Sequence, residues 1–423
     1  MPYRRRVLDE VLDDLLPALA AVTLEGAKGV GKTATARERA QTFLPLDLPA
    51  QREIVAADLT YLTRVDPPVL IDEWQLVPAV WDRVRRAVDD GAAGGTFLLT
   101  GSATIPADAR IHSGAGRIVS LKMRPLSLAE RNLAEPTVSL ADLLSGSRPA
   151  IGGESTLDLD TYVEEILRSG FPGIRDLPTR ARSLQLDSYL TRILERELPE
   201  NGVSVRRPAA LRAWLAAYAA CTSSDTTYSK ILDAATSGLA DKPSRGTVDG
   251  YREQLTRLFI LDPVPAWVPV FNPLKRLTLS PKHHLVDPAL AARLAGVTRP
   301  GLLRGFSPQG DPAAGTWLGA LFESLVTQSV RVYADAASAH VGHLRTQATD
   351  REIDLIVEGE DRRVVAIEVK LSETISDRDV RHLNWLHDQI GDHLADKVVI
   401  TTGRHAYRRA DGVAVVPLAL LGP

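Results

Sequence analysis

Over the first third of the chain, short apolar runs alternate with stretches whose apolar residues recur at helical spacing. Ala21-Val22-Thr23-Leu24, Val69-Leu70-Ile71 and Thr96-Phe97-Leu98-Leu99-Thr100 are such runs, the pattern of strands buried on both faces. Residues 33–40 and 78–90 have helical composition and follow the first and second runs. This alternation, continuing to about Glu130, predicts an α/β domain with a parallel sheet. Residues 134–160 are rich in Gly, Ser, Pro and acidic side chains and read as a loop or linker. Residues 159–198 read as helical, interrupted at Ser169-Gly170-Phe171-Pro172-Gly173. Residues 211–218 and 228–235 predict two more helices. A third starts at Ser244-Arg245-Gly246-Thr247, with Val248, Tyr251, Leu255 and Leu258 on one face. With residues 259–261 and 267–268 opening a wing, the region 205–300 reads as a winged helix-turn-helix. Near the C-terminus, residues 352–357 and 364–370 predict two strands joined by the polar turn 358–363, followed by a helix over 377–390 and a strand over 398–401.

The first strand leads into Gly26-Ala27-Lys28-Gly29-Val30-Gly31-Lys32-Thr33, which fits the phosphate-loop pattern G-x-x-x-x-G-K-[ST]. The glycines permit a tight turn whose N–H groups make an anion-binding concavity, so all eight residues are expected to line a nucleotide site. Lys32 would place its charge on the β- and γ-phosphates, and the Thr33 hydroxyl would ligate Mg2+. The second strand ends in Asp72-Glu73, at the edge where a parallel sheet meets its ligands. Asp72 is expected in the Mg2+ shell and Glu73 as the group that polarises the attacking water; the same pair can also cap the helix that follows. Ser102, just past the third strand, is placed either to sense the γ-phosphate or to make an ordinary turn. These residues imply a nucleoside triphosphate as ligand, ATP or GTP, and Mg2+ as cofactor.

The chain resembles a large prokaryotic group of AAA-type P-loop ATPases built as an ATPase domain, a winged helix and a restriction-endonuclease-like, PD-(D/E)xK-type C-terminal domain. The resemblance is carried by residues 26–33, by Ile71-Asp72-Glu73-Trp74-Gln75-Leu76-Val77-Pro78, by Leu99-Thr100-Gly101-Ser102-Ala103, and by Gly116-Arg117 with residues 124–130. Gly170-Phe171-Pro172 and residues 190–198 add to it. The resemblance implies ATP as the nucleotide. Of Arg110, Arg117 and Arg124, the family pattern favours Arg117 as an arginine finger, which in trans requires a homo-oligomer; Arg117 is equally placed to be a salt-bridge partner. In the C-terminal hairpin, Asp354 with Glu368 and Lys370 resembles the D…E-x-K set of restriction-type nucleases. Asp354 and Glu368 would then hold Mg2+, Lys370 would orient or activate the water, and Glu323 would match the additional carboxylate of such folds. The other reading is a charged edge hairpin.

The implied boundaries are 1–135 for the ATPase domain, 136–200 for a linker and helical segment, 201–300 for the winged helix and 301–423 for the nuclease-like domain. Two functions follow: ATP hydrolysis coupled to nucleic-acid binding or cleavage, or an ATP-gated switch that binds DNA or a partner protein and carries an inert C-terminal domain.

Composition narrows the partners. The net charge of −3 leaves any contact with duplex DNA or other nucleic acid to a local patch, such as Ser244, Arg245, Thr247 and Arg252 on the third helix. Asp241, Asp249 and Glu253 dilute that field. Arg4-Arg5-Arg6 read as a solvated helix end or a nucleic-acid contact. The single cysteine, Cys221, excludes an internal disulfide framework and a cysteine-rich zinc site. No run is long enough for a membrane span, and the expected location is the cytoplasm. His283-His284 read as surface residues, because adjacent histidines diverge. Only nine of the 50 basic residues are lysine, which singles out Lys32 and Lys370.

Overall fold

The computed structural model describes residues 3–101, 114–200, 207–237, 244–268, 279–304, 312–346 and 351–423. Ser102, Arg110 and Asp241 lie outside the described residues. The chain forms two compact units: residues 1–124, 193–206 and 250–260 make the first, and residues 125–192, 207–249 and 261–423 the second.

The first unit is built on a five-stranded parallel sheet of β1 (Ala21–Glu25), β2 (Thr42–Pro45), β3 (Val69–Asp72), β4 (Phe97–Thr100) and β5 (Val119–Lys122), in the order β2-β3-β4-β1-β5. Successive side chains on a strand point to opposite faces, and both faces are covered. Val69, Ile71, Phe97 and Leu99 enter one apolar cluster, whereas Leu70, Leu98, Val22 and Leu24 enter another with Leu12 and Leu16. This double burial is why the strands read as unbroken apolar runs. Arg6 is buried, and its guanidinium donates to the carbonyls of Val30 (2.9 Å) and Arg124 (2.7 Å). It braces the phosphate loop from within, so Arg6 departs from the solvated-end reading of the Arg4-Arg5-Arg6 cluster.

The second unit carries a six-stranded mixed sheet of β7 (His340–Arg345), β8 (Glu352–Glu358), β9 (Val364–Val369), β10 (Leu394–Thr401), β11 (Tyr407–Arg408) and β12 (Ala414–Pro417). Its order is β11-β12-β10-β9-β8-β7. Hairpin partners β8 and β9 are antiparallel, while β9 and β10 are parallel and joined through the helix Asp377–Ile390. Ser376 and Asp379 close a capping box at the start of that helix, whose Val380, Leu383 and Leu386 pack into the core of the sheet.

Residues read as a linker are tied to this unit. β6 (Val138–Ser139) pairs with β13 (Leu421–Gly422), and the Arg408 guanidinium donates to the Pro149 carbonyl at 3.0 Å. In the same unit, buried Glu165 accepts from Arg131 (3.0 Å) and Arg175 (3.1 Å). Burial pushes its carboxyl up, but the two guanidinium groups outweigh that and hold it below its ordinary value.

Helices Pro208–Ala220, Tyr228–Ala235 and Arg245–Arg257 occupy the predicted positions. After them, Leu261 bridges Leu285 and Val264 bridges Lys282, both antiparallel. Ser244, Arg245 and Thr247 are exposed, and the Ser244 hydroxyl accepts the Thr247 amide at 3.2 Å. Among the described residues no helix is long and apolar enough to cross a membrane.

Candidate functional site

The phosphate loop leaves β1, a strand flanked on both sides by β4 and β5. Gly26, Gly29 and Gly31 have φ of 153°, 85° and 107°, backbone that a side chain strains. At Gly26 the reason is also steric, since a Cβ there would meet the Met123 carbonyl oxygen at 2.1 Å. The helix Lys32–Arg37 follows at once. Lys32 Nζ donates to the carbonyls of Gly26 (2.8 Å) and Ala27 (3.1 Å). Burial pushes its pKa down to about 8, against the pull of Glu73 and Asp72. Lys28 pairs with Glu197 at 2.9 Å.

Asp72 ends β3 in register with Thr100 of β4. Its Oδ1 accepts from the Thr33 hydroxyl at 2.9 Å and from the Thr100 hydroxyl at 2.5 Å. The two residues assigned to Mg2+ are therefore side by side, a hydroxyl and a carboxylate of the hard-oxygen type this ion prefers, and they fit the group. Thr100 had no assigned role, although its polar side chain at the end of an apolar strand was the available signal.

Glu73 has φ 52° and ψ 42°, left-handed backbone that costs a non-glycine residue about 1–3 kcal/mol and marks a position under constraint. The Gln75 amide donates to the Glu73 carboxylate. A Cβ at Gly101 would lie 2.2 Å from Gln75 Oε1, so the glycine after β4 makes room for the side chain that holds Glu73. Arg117 Nε donates to Asp89 Oδ1 at 2.9 Å in an exposed pair.

The C-terminal hairpin places its charged residues close together. Leu355 pairs with Ile367, and the next step along the ladder sets Asp354 opposite Glu368. Lys370 Nζ donates to Glu368 Oε1 at 2.6 Å. Glu323 comes from the helix Pro312–Ala336. The residue that sequence reading missed is Lys282. Its ammonium is 2.8 Å from Glu323 Oε1, 2.9 Å from Asp354 Oδ1 and 3.4 Å from Glu352 Oε1, and the residue is 1% exposed. Asp354 Oδ2 accepts the Val369 amide at 2.9 Å.

Burial pushes Lys282 down, but Asp354, Glu323 and Glu352 raise it well above its ordinary value. Burial also raises Asp354, yet Lys282 and Lys370 hold it below the usual carboxylate range. Glu323 and Glu368 are each pushed up to about 8, first by burial and then by Asp354. Two lysines thus occupy the donor positions around the carboxylates, and the set does not fit a divalent metal. Among the described residues no group of three or more His, Cys, Asp or Glu side chains is arranged to hold one. His283 and His284 are buried, correcting their surface reading: His283 Nε2 lies 2.6 Å from the Thr226 carbonyl, and His284 is held well below its ordinary pKa by burial.

Residues 19–132 match an AAA domain family, residues 159–301 a domain of unknown function (DUF8612), and residues 318–421 another (DUF4143). Curated relatives include uncharacterized proteins of Mycobacterium bovis and Mycobacterium tuberculosis. Each is 26% identical over 406 residues, covering 94% of this chain and 79% of the relative. Among solved structures, a Walker-type ATPase of Pyrococcus abyssi is similar at 16% identity and a TM-score of 0.40, over 70% of this chain and 98% of that one. Most of the AAA match, residues 19–124, falls on the unit that holds the phosphate loop, whose parallel sheet and loop have a P-loop NTPase fold.

Proposed function

We propose that the first unit binds MgATP and hydrolyses it by in-line attack of water on the γ-phosphate. The observation that carries this reading is the convergence of Thr33 and Thr100 on one oxygen of Asp72 beside the loop that holds Lys32. Thr33 and Asp72 would hold Mg2+, which would supply charge to the phosphate oxygens when bound. Lys32 is held by neutral carbonyls, so its ammonium can exchange them for phosphate oxygens without breaking an ion pair. Glu73, fixed by its backbone and by Gln75, accepts a hydrogen bond from the attacking water and orients it.

The second unit is the part that nucleotide state would regulate, as a module that binds a partner protein or, through the exposed start of the helix Arg245–Arg257, duplex DNA. Lys282 among the carboxylates favours this switch over cleavage. A homo-oligomer with Arg117 acting in trans remains part of the proposal.

The test is steady-state phosphate release with Mg2+, with and without duplex DNA, using Lys32→Ala as the blank. Mg2+-dependent turnover above the blank supports the reading, and stimulation by DNA identifies nucleic acid as the regulated partner. Turnover equal to the blank contradicts it.

A further inference from the structure

We infer that Lys282 is the resident cation of the C-terminal carboxylate cluster, its ammonium standing where phosphodiester chemistry would require a divalent metal. Three carboxylates from two elements, Glu323 on its helix and Glu352 and Asp354 on β8, close on one nitrogen. A buried ammonium without such partners would be strongly disfavoured.

The lysine is fixed from its backbone outward. Its N–H donates to the Val264 carbonyl and its carbonyl accepts from the Val264 N–H, each at 2.9 Å. The next residue is tied in the same manner, with the His283 N–H donating to the Ser224 carbonyl at 2.8 Å. Lys282 is therefore part of a paired segment, not a side chain folding in from the surface.

Both oxygens of Asp354 and one oxygen of Glu368 are already engaged. Asp354 Oδ1 faces Lys282 and Oδ2 accepts the Val369 amide, while Glu368 Oε1 faces Lys370. Of the carboxylate oxygens in this cluster, Glu368 Oε2 is the one buried without a hydrogen-bond partner among the described residues. A hydrated Mg2+ needs near-octahedral oxygen ligands and would be repelled by an ammonium sharing the same carboxylates. Residue type fits the role as well. In a chain where nine of 50 basic residues are lysine, this position uses the compact ammonium, whose point charge suits carboxylates converging from several directions; a planar guanidinium would not. The acidic centre of the second unit is complete without a metal, and the sheet acts as a scaffold instead of a hydrolytic centre. All of these residues lie in the second unit, so the inference stands apart from the nucleotide reading.

The experiment is a Mn2+ titration followed by electron paramagnetic resonance on the nucleotide-free full chain, carrying Asp72→Asn to silence the phosphate-loop metal position. With Lys282 in place, no saturable Mn2+ site depends on Asp354. Adding Lys282→Met creates about one site per chain, bound at least ~10-fold more tightly than in its absence, and a further Asp354→Asn removes it. If Lys282→Met lowers the yield of folded chain, melting curves decide: Mn2+ stabilises that variant and leaves its parent unchanged. The inference is overturned by a Mn2+ site that needs Asp354 while Lys282 is intact. It is equally overturned by a Lys282→Met chain that neither gains a site nor is stabilised by Mn2+.

Discussion

Lys32 in the first unit and Lys282 in the second differ in what holds the ammonium. Lys32 rests on two backbone carbonyls, whereas Lys282 rests on three carboxylates. Neutral carbonyls are exchangeable partners, and the charge of Lys32 stays available to an incoming polyanion. The charge of Lys282 is instead taken up inside its cluster, chiefly by Asp354, which Lys282 and Lys370 hold below the usual carboxylate range. On the proposed reading, a lysine beside acidic residues is a ligand-binding group in one setting and a structural counter-ion in the other, and the difference lies in its partners.

That contrast predicts a double dissociation. Lys32→Ala should lower Mg2+-dependent phosphate release by ~10²–10³-fold while leaving the melting temperature unchanged or raised. Lys282→Met should do the reverse. Leaving buried carboxylates uncompensated costs about 3–5 kcal/mol, seen as a lower urea midpoint for the second unit in a chelator, while ATP turnover of the folded fraction is kept. Loss of turnover in both variants with no change in stability would erase the distinction.

A second buried cluster sharpens the same point at acid pH. Glu165 is held below its ordinary value by Arg131 and Arg175. Its contribution is fully present above the unfolded carboxylate range of about 4.3 and is lost as pH falls through the folded value. Glu165→Gln should flatten the acid limb of stability measured by urea unfolding from pH 5 downward. An unchanged limb would show that the two arginines do not stabilise the fold through this carboxylate.

Smaller effects probe the proposed nucleotide site. Thr100→Val should raise the Mg2+ concentration for half-maximal turnover by ~10-fold through loss of the bond that orients Asp72; an unchanged requirement would make that bond structural only. Arg117→Ala should leave thermal stability unchanged, because its pair with Asp89 is exposed. A large loss of turnover in that variant would assign Arg117 to catalysis in trans.

The phosphate loop, Asp72-Glu73 and the strands carrying them were legible because their chemistry is local: a tight turn needs glycines, and a doubly buried strand needs an apolar run. The C-terminal hairpin was legible for the same reason, with Asp354 and Glu368 brought together by a short turn. Lys282 was not, since it meets Glu323 and Asp354 across 41 and 72 residues. Its neighbourhood, Pro281-Lys282-His283-His284, has the polar look of a surface loop yet is buried from Lys282 to His284. Lysine scarcity was the one signal, and it was read only for Lys32 and Lys370. The Arg131–Glu165–Arg175 cluster was hidden likewise, because charged residues are read as exposed until their partners are known.

Central to the proposal is Glu73 acting on water beside a loop that would bind MgATP. The most direct measurement is single-turnover hydrolysis of ATP by the wild-type chain and Glu73→Gln, with nucleotide binding measured on the same preparations. Equal binding and at least ~10²-fold slower hydrolysis are expected in the variant. Equal hydrolysis rates, or a wild-type chain that binds ATP and never turns it over, would contradict that role.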